Sequence, residues 1–406
     1  MKSTRLNPLM ATAAALALLL WFSAGIPQTF AAQNLVYINA NINIPGQNAV
    51  IALSNDGAGN LSPVAGSPFA TGGTGVAGTS GLLNDIQWDS DGELAINAAG
   101  TLLFAVNGHS NDFSGFNLNA DGSLTIIPGS PFSSHGTQPA SIGYKDNAAG
   151  NGVATMVIAN KDSDPFQTQT APNLTTFRVD STGVPVWNSR STFPLPAGSS
   201  PWQLLLPRNT YYFFGILFTG DAVSTYKLSR KGSIANPSSL VTSGDNGGGT
   251  LNPRTAALYV TMPAPRLLNV MSYDTAYNVS LVNTLNSAGK APCWATTNKA
   301  ATRLYIAETP SGTVTVYDIS DALNPVQLQH LKLAVAGGGA GAGAQPYPTH
   351  TRLDPTESFL YVLDRRGLLH VLDVAGDGTL AENHTPFDLG LPNGAVPPLG
   401  LAVLSK

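Results

Sequence analysis

Short apolar cores return along the chain in a regular beat. Leu35-Val36-Tyr37-Ile38, Leu103-Phe104-Ala105-Val106 and Met156-Val157-Ile158-Ala159 are followed by Phe214-Gly215-Ile216-Leu217, Leu258-Tyr259-Val260, Leu304-Tyr305-Ile306 and Leu360-Tyr361-Val362. They are spaced at roughly 45 to 65 residues, the scale of one propeller blade. A polar loop follows each core, and then a strand of alternating pattern, as in Thr313-Val314-Thr315-Val316-Tyr317-Asp318-Ile319 and Leu369-His370-Val371-Leu372-Asp373-Val374. Alternation at period two marks a half-buried strand. Asp56-Gly57, Asp121-Gly122 and Asp377-Gly378 supply the tight turns that such strands need. Gly66-Ser67-Pro68-Phe69 and Gly129-Ser130-Pro131-Phe132 repeat almost letter for letter, each expected to follow an outer strand. Pro-led apolar segments begin at Pro201, Pro292 and Pro348.

Each unit therefore predicts four short strands. One four-stranded unit cannot bury both of its faces, but blades packed around an axis can. The expected fold is all-β, a seven-bladed propeller. Its first unit begins at the second strand, at Leu35. The chain finishes with a lone segment, Pro398-Leu399-Gly400-Leu401-Ala402-Val403, the missing innermost strand of that first unit. Pairing the two ends would close the ring and remove exposed sheet edges.

The start of the chain follows a different logic. Lys2 and Arg5 precede an apolar run over 10–22, Pro27 breaks it, and Thr29-Phe30-Ala31 offers small residues before a cut. That is the layout of a secretory signal peptide, and the run is short for a membrane span of about 20 residues. The expected organisation is a leader over 1–31 and one propeller over 32–406, periplasmic or secreted, with no membrane span once the leader is removed.

Composition narrows the functions. Glycine (42) and proline (29) abound and only 11% of residues are charged, which suits many strands joined by turns. A net charge of −4 gives no footprint for nucleic acid. A single cysteine, Cys293, excludes an intrachain disulfide and reads as a small buried side chain. The six histidines stand singly, without i, i+4 pairs, so neither a metal nor any other cofactor is expected.

The L-Y-V cores, the Asp-Gly-x-Leu turns and the Gly-Ser-Pro-Phe segments together resemble the seven-bladed lactonase-type propellers, which include 6-phosphogluconolactonase-like and Y-V-T-N repeat proteins. The resemblance spans essentially the whole chain after the leader. It implies hydrolysis of a small cyclic ester. Enzymatic members tend to carry a G-P-R-H start to an inner strand and an N-E end to the next. Here the start reads Pro348-Thr349-His350, the strand of the same unit ends Asp364-Arg365, and the neighbouring one ends Glu308-Thr309.

His350 with Arg365 and Glu308 are thus the candidate catalytic residues: a group of near-neutral pKa, a donor for the carbonyl oxygen, and a carboxylate. Asn107, Asn160, Trp202, Trp294, Tyr347 and Arg366 are the candidate substrate-binding residues, because loops and inner-strand starts converge around a propeller axis. The tryptophans offer a stacking surface for a flat ligand, or packing against the next blade. Two functions stay open. One is an exported lactonase-like hydrolase with a small-molecule substrate. The other is a non-catalytic binding scaffold of the cell envelope whose partner is a ligand or an envelope protein. A monomer is expected in either case.

Overall fold

A computed structural model describes residues 34–76, 90–146, 153–162, 170–187, 192–207, 210–229, 231–335, 343–392 and 397–406. The expected leader over 1–31 and nearly all of the Gly-Ala run at 337–343 lie outside them. Seven antiparallel sheets form the fold, and the one helical turn among the described residues is a 3-10 turn, Thr309–Ser311. No helix among the described residues is long and apolar enough to cross a membrane.

The inner strands, in chain order from the second blade, are Leu94–Ile96, Pro139–Lys145, Pro201–Leu205, Gly249–Leu251, Pro292–Thr297 and Pro348–Leu353. The first blade takes its inner strand from the far end of the sequence: Leu399–Ser405 pairs antiparallel with Asn34–Asn39. This is the closure expected from the repeat register.

The second strand of each blade reads as a nearly continuous apolar run because both of its faces are covered. In Leu102–Asn107, Leu103 and Ala105 join the cluster shared with the first blade, whereas Phe104 and Val106 join the cluster shared with the third. Successive residues of a strand point to opposite faces, so one hexapeptide serves two interfaces. Further clusters join the remaining neighbours, including the seventh blade to the first through Tyr361, Leu363, Val36 and Ile38.

The tyrosines of the L-Y-V cores reach further than packing. Tyr37 Oη donates to Gly122 O at 2.9 Å, and Tyr305 Oη to Gly378 O at 3.1 Å. Each hydroxyl thus bonds the Asp-Gly turn of the following blade. Asn55 closes the ring in the same way, donating to Tyr361 Oη at 2.7 Å. Gly122 and Gly378 sit at φ of 85°, a conformation that favours glycine.

The Gly-Ser-Pro-Phe segments break the outermost strand instead of following it. Leu61–Pro63 and Phe69–Ala70 both pair with Ala49–Asn55 on either side of the break. There the serine side chain replaces the missing strand: Ala52 N–H donates to Ser67 Oγ at 2.9 Å, and Gly115 N–H to Ser130 Oγ at 3.0 Å.

Candidate functional site

The last residue of each second strand faces the loop arriving from the previous blade. Three predicted site residues occupy this position. Asn107 accepts from Asn48 Nδ2 at 2.9 Å and donates to Asp112 at 2.7 Å and Ser114 at 3.1 Å. Asn160 donates to Asn173 at 2.9 Å. Glu308 accepts from Ser287 Oγ (2.6 Å), Gly289 N–H (2.7 Å) and Thr313 Oγ1 (2.7 Å), and meets His330 Nε2 at 3.0 Å. A glycine lies against each of the three, at Gly73, Gly136 and Gly289, and a Cβ there would overlap the strand-end side chain. The glycine and the polar residue form a repeated joint between blades, and the carboxylate of Glu308 is engaged in it.

Asp364 holds the same position in the seventh blade, accepting Tyr347 N–H and Arg366 N–H, each at 2.6 Å. The Arg366 guanidinium lies 5.3 Å from the centre of the Tyr347 ring and donates to Gln345 O at 2.7 Å, so these two predicted residues do meet. Arg365 is buried, and its backbone N–H donates to Tyr347 O.

His350 sits in other company. Its Nε2–H donates to Ser90 O at 2.8 Å, with Glu93 Oε2 3.7 Å away and Asp91 Oδ1 4.0 Å away. All three side chains are fully buried. Asp91 Oδ1 accepts Arg352 at 2.6 Å, and its Oδ2 accepts Gln203 Nε2 at 2.8 Å. Asp91 leads into the second blade, Gln203 lies in the fourth, and His350 and Arg352 lie in the seventh. These blades are not neighbours, so the contacts are made across the axis. Burial acts to raise the Asp91 pKa, but Arg352 and His350 outweigh it and hold the carboxyl below its usual range.

The aromatic candidates also converge. Trp294 stacks on His350 with ring centres 5.6 Å apart, and Trp202 lies 5.5 Å from Trp294. Phe218 stacks under Trp202 at 3.9 Å, and Lys161 Nζ stands 5.3 Å from the Trp202 ring. Gly248 gives Trp294 its room, because a Cβ there would overlap the indole.

The axis thus gathers His350, Trp202 and Trp294 from the predicted set, and adds Asp91, Glu93, Arg352, Gln203 and Lys161. Glu308 makes its bonds in the sixth blade, while Asp91 and Glu93 stand as the carboxylates beside His350. Asp91, Glu93 and His350 offer ligand atoms within 4.8 Å of one another, a grouping the scattered histidines did not foretell. Their chemistry fits an ion-pair network better than a cation site. Asp91 is already engaged by a guanidinium, and His350 presents an N–H to a carbonyl.

A family model described as "Lactonase, 7-bladed beta-propeller" matches residues 213–379, a stretch that contains Glu308, His350 and both arginines. The match covers the fourth to seventh blades, and the seven sheets agree with the seven-bladed fold that the description names. Among solved structures, the chain resembles a periplasmic gluconolactonase of Pseudomonas aeruginosa at 13% identity and TM-score 0.67, covering 92% of this chain and 99% of that one. A Bacteroides fragilis protein provisionally assigned as a 6-phosphogluconolactonase matches at 12% identity and TM-score 0.69, covering 93% and 99%. A hypothetical selenium-binding protein of Sulfolobus tokodaii shares the fold at 11% identity and TM-score 0.60, covering 92% and 94%. Likeness at these identities carries the fold alone. No curated protein matches the sequence.

Proposed function

We propose that this lactonase-type propeller is an exported hydrolase that opens a small cyclic ester at its axis. The observation that carries the reading is His350, fully buried between the carboxylates of Asp91 and Glu93 and stacked on Trp294. Hydrolysis of a lactone needs a base to activate water, a donor for the acyl oxygen and a proton for the leaving ring oxygen. Water adds to the acyl carbon, the ring C–O bond breaks, and the hydroxy acid departs. In this reading Glu93 takes the water proton and His350 supplies charge and a proton to the oxygens, with Asp91 and Arg352 holding the imidazole in place. Glu93 thereby takes the part first expected of Glu308. The leader supports a periplasmic or secreted location, and a small molecule is the expected partner.

His350→Gln should lower hydrolysis of an accepted lactone at least about tenfold while the melting curve stays cooperative. The assay is a pH-stat screen of γ- and δ-lactones on the purified protein. Full activity in the variant would remove His350 from the mechanism. A second reading, a non-catalytic binding propeller, is favoured by the engagement of Asn107, Asn160 and Glu308 in blade joints. A wild-type protein that opens no lactone would select it.

A further inference from the structure

We propose that the indole N–H groups of Trp202 and Trp294 are ligand donors that together take an acyl oxygen at the propeller axis. The inference leans on the lactonase-like reading only for the source of that oxygen, a lactone carbonyl or the carboxylate of the opened acid.

Both tryptophans are buried, Trp202 at 2% exposure and Trp294 at 0%. Neither Nε1 has a hydrogen-bond partner among the described residues. An indole nitrogen is a donor only, and a buried donor left unbonded bears its full desolvation penalty. Packing alone does not account for that penalty. Phenylalanine would supply a flat ring at either position without the N–H. The penalty is incurred twice at one place, by residues of the fourth and sixth blades whose rings lie 5.5 Å apart across the axis.

The surroundings indicate what the donors await. The Lys161 ammonium stands beside the Trp202 ring, and the His350 imidazole stacks on Trp294. Two carboxylates are also close, Asp91 and Glu93. Asp91 is bonded to Arg352 and Gln203, and Glu93 accepts Ser90 Oγ at 2.6 Å. N–H donors with an ammonium beside them suit an acceptor oxygen, and more so a charged one. Both rings are held in advance, Trp202 by Phe218 and Trp294 by the space over Gly248, so little ordering is left for a ligand to impose.

The test uses the full propeller with D-gluconate and D-glucono-δ-lactone as probes. In wild-type protein carrying ¹⁵N-labelled tryptophan, adding either compound should move the two axial indole N–H resonances downfield. Trp202→Phe and Trp294→Phe keep a ring and delete one donor. Each should weaken gluconate binding by calorimetry, or raise the KM for the lactone, at least about tenfold, the worth of one hydrogen bond to a charged or polarised oxygen. Their melting temperatures should stay near that of the wild type, because the loss of a costly buried N–H offsets the space left by the smaller ring. An effect on gluconate names the carboxylate as the oxygen bound, and an effect confined to the lactone names the carbonyl. Indole resonances that ignore both compounds would overturn the proposal, as would phenylalanine variants that bind and turn over like wild type. If a variant does not fold, the wild-type resonances decide. Should the wild type hydrolyse a lactone while the variants behave normally, this inference falls alone. Should binding depend on the indoles in a protein without hydrolytic activity, the inference stands and the hydrolase reading falls.

Discussion

His370 is fully buried, bonded through Nδ1 to Glu382 at 2.6 Å, with Asp364 3.6 Å from Nε2. Burial opposes its charge, but the carboxylates of Asp364 and Glu382, the latter hydrogen-bonded to the ring, win and push the pKa up to about 9 from 6.5. A raised histidine pKa stabilises the fold fully below the unfolded value, and the gain is lost as pH rises through the folded one. The melting temperature should therefore decline by several degrees between about pH 6.5 and pH 9.5, and a His370→Gln variant, less stable at low pH, should decline less. Calorimetry across that range checks it, and equal slopes in the two proteins would refute it. The same scale shows where sequence reading stopped. His350, Trp202 and Trp294 were legible because each follows a recurring proline at an inner-strand start. Asp91 and Glu93 were not, since their segment has no such proline and joins His350 only through closure of the ring. Glu308 could not be sorted from the sequence for a physical reason: a carboxylate at a strand end serves blade joinery as well as it serves catalysis.

The outer strands show how an element survives interruption. At each Gly-Ser-Pro break a serine oxygen takes the N–H that a continuous strand would have bonded. Ser130→Ala leaves the Gly115 N–H without that acceptor, a loss of about 1–3 kcal/mol. A Ser130→Thr variant keeps an oxygen and should lose less. Urea unfolding curves would report both, and an alanine variant as stable as wild type would show that water substitutes. The sequence displayed the repeat of these four letters and placed it after an outer strand. Its part inside that strand needed the register, because a side-chain oxygen standing in for a carbonyl leaves no mark in hydropathy.

For the whole molecule, the decisive bond is between chain ends. Leu399–Ser405 is the inner strand of the first blade, and Lys406 beyond it donates to Leu118 O at 3.0 Å in the second. Removing 399–406 exposes the edge at Asn34–Asn39 and uncovers part of the cluster joining the first and seventh blades. The truncated protein should lose about ten degrees or more of melting temperature, or aggregate, because several buried backbone groups are unpaired at once. An unchanged melting temperature would mean that closure adds nothing. Seven-fold repetition and this closure could be read from the sequence because period and strand register are local signals. The chemistry at the axis could not, because it depends on which blades face one another across the ring. There the wheel has a solid hub. Asp91 ties the second blade to the fourth and the seventh, so one side chain laces together three blades that share no border along the rim.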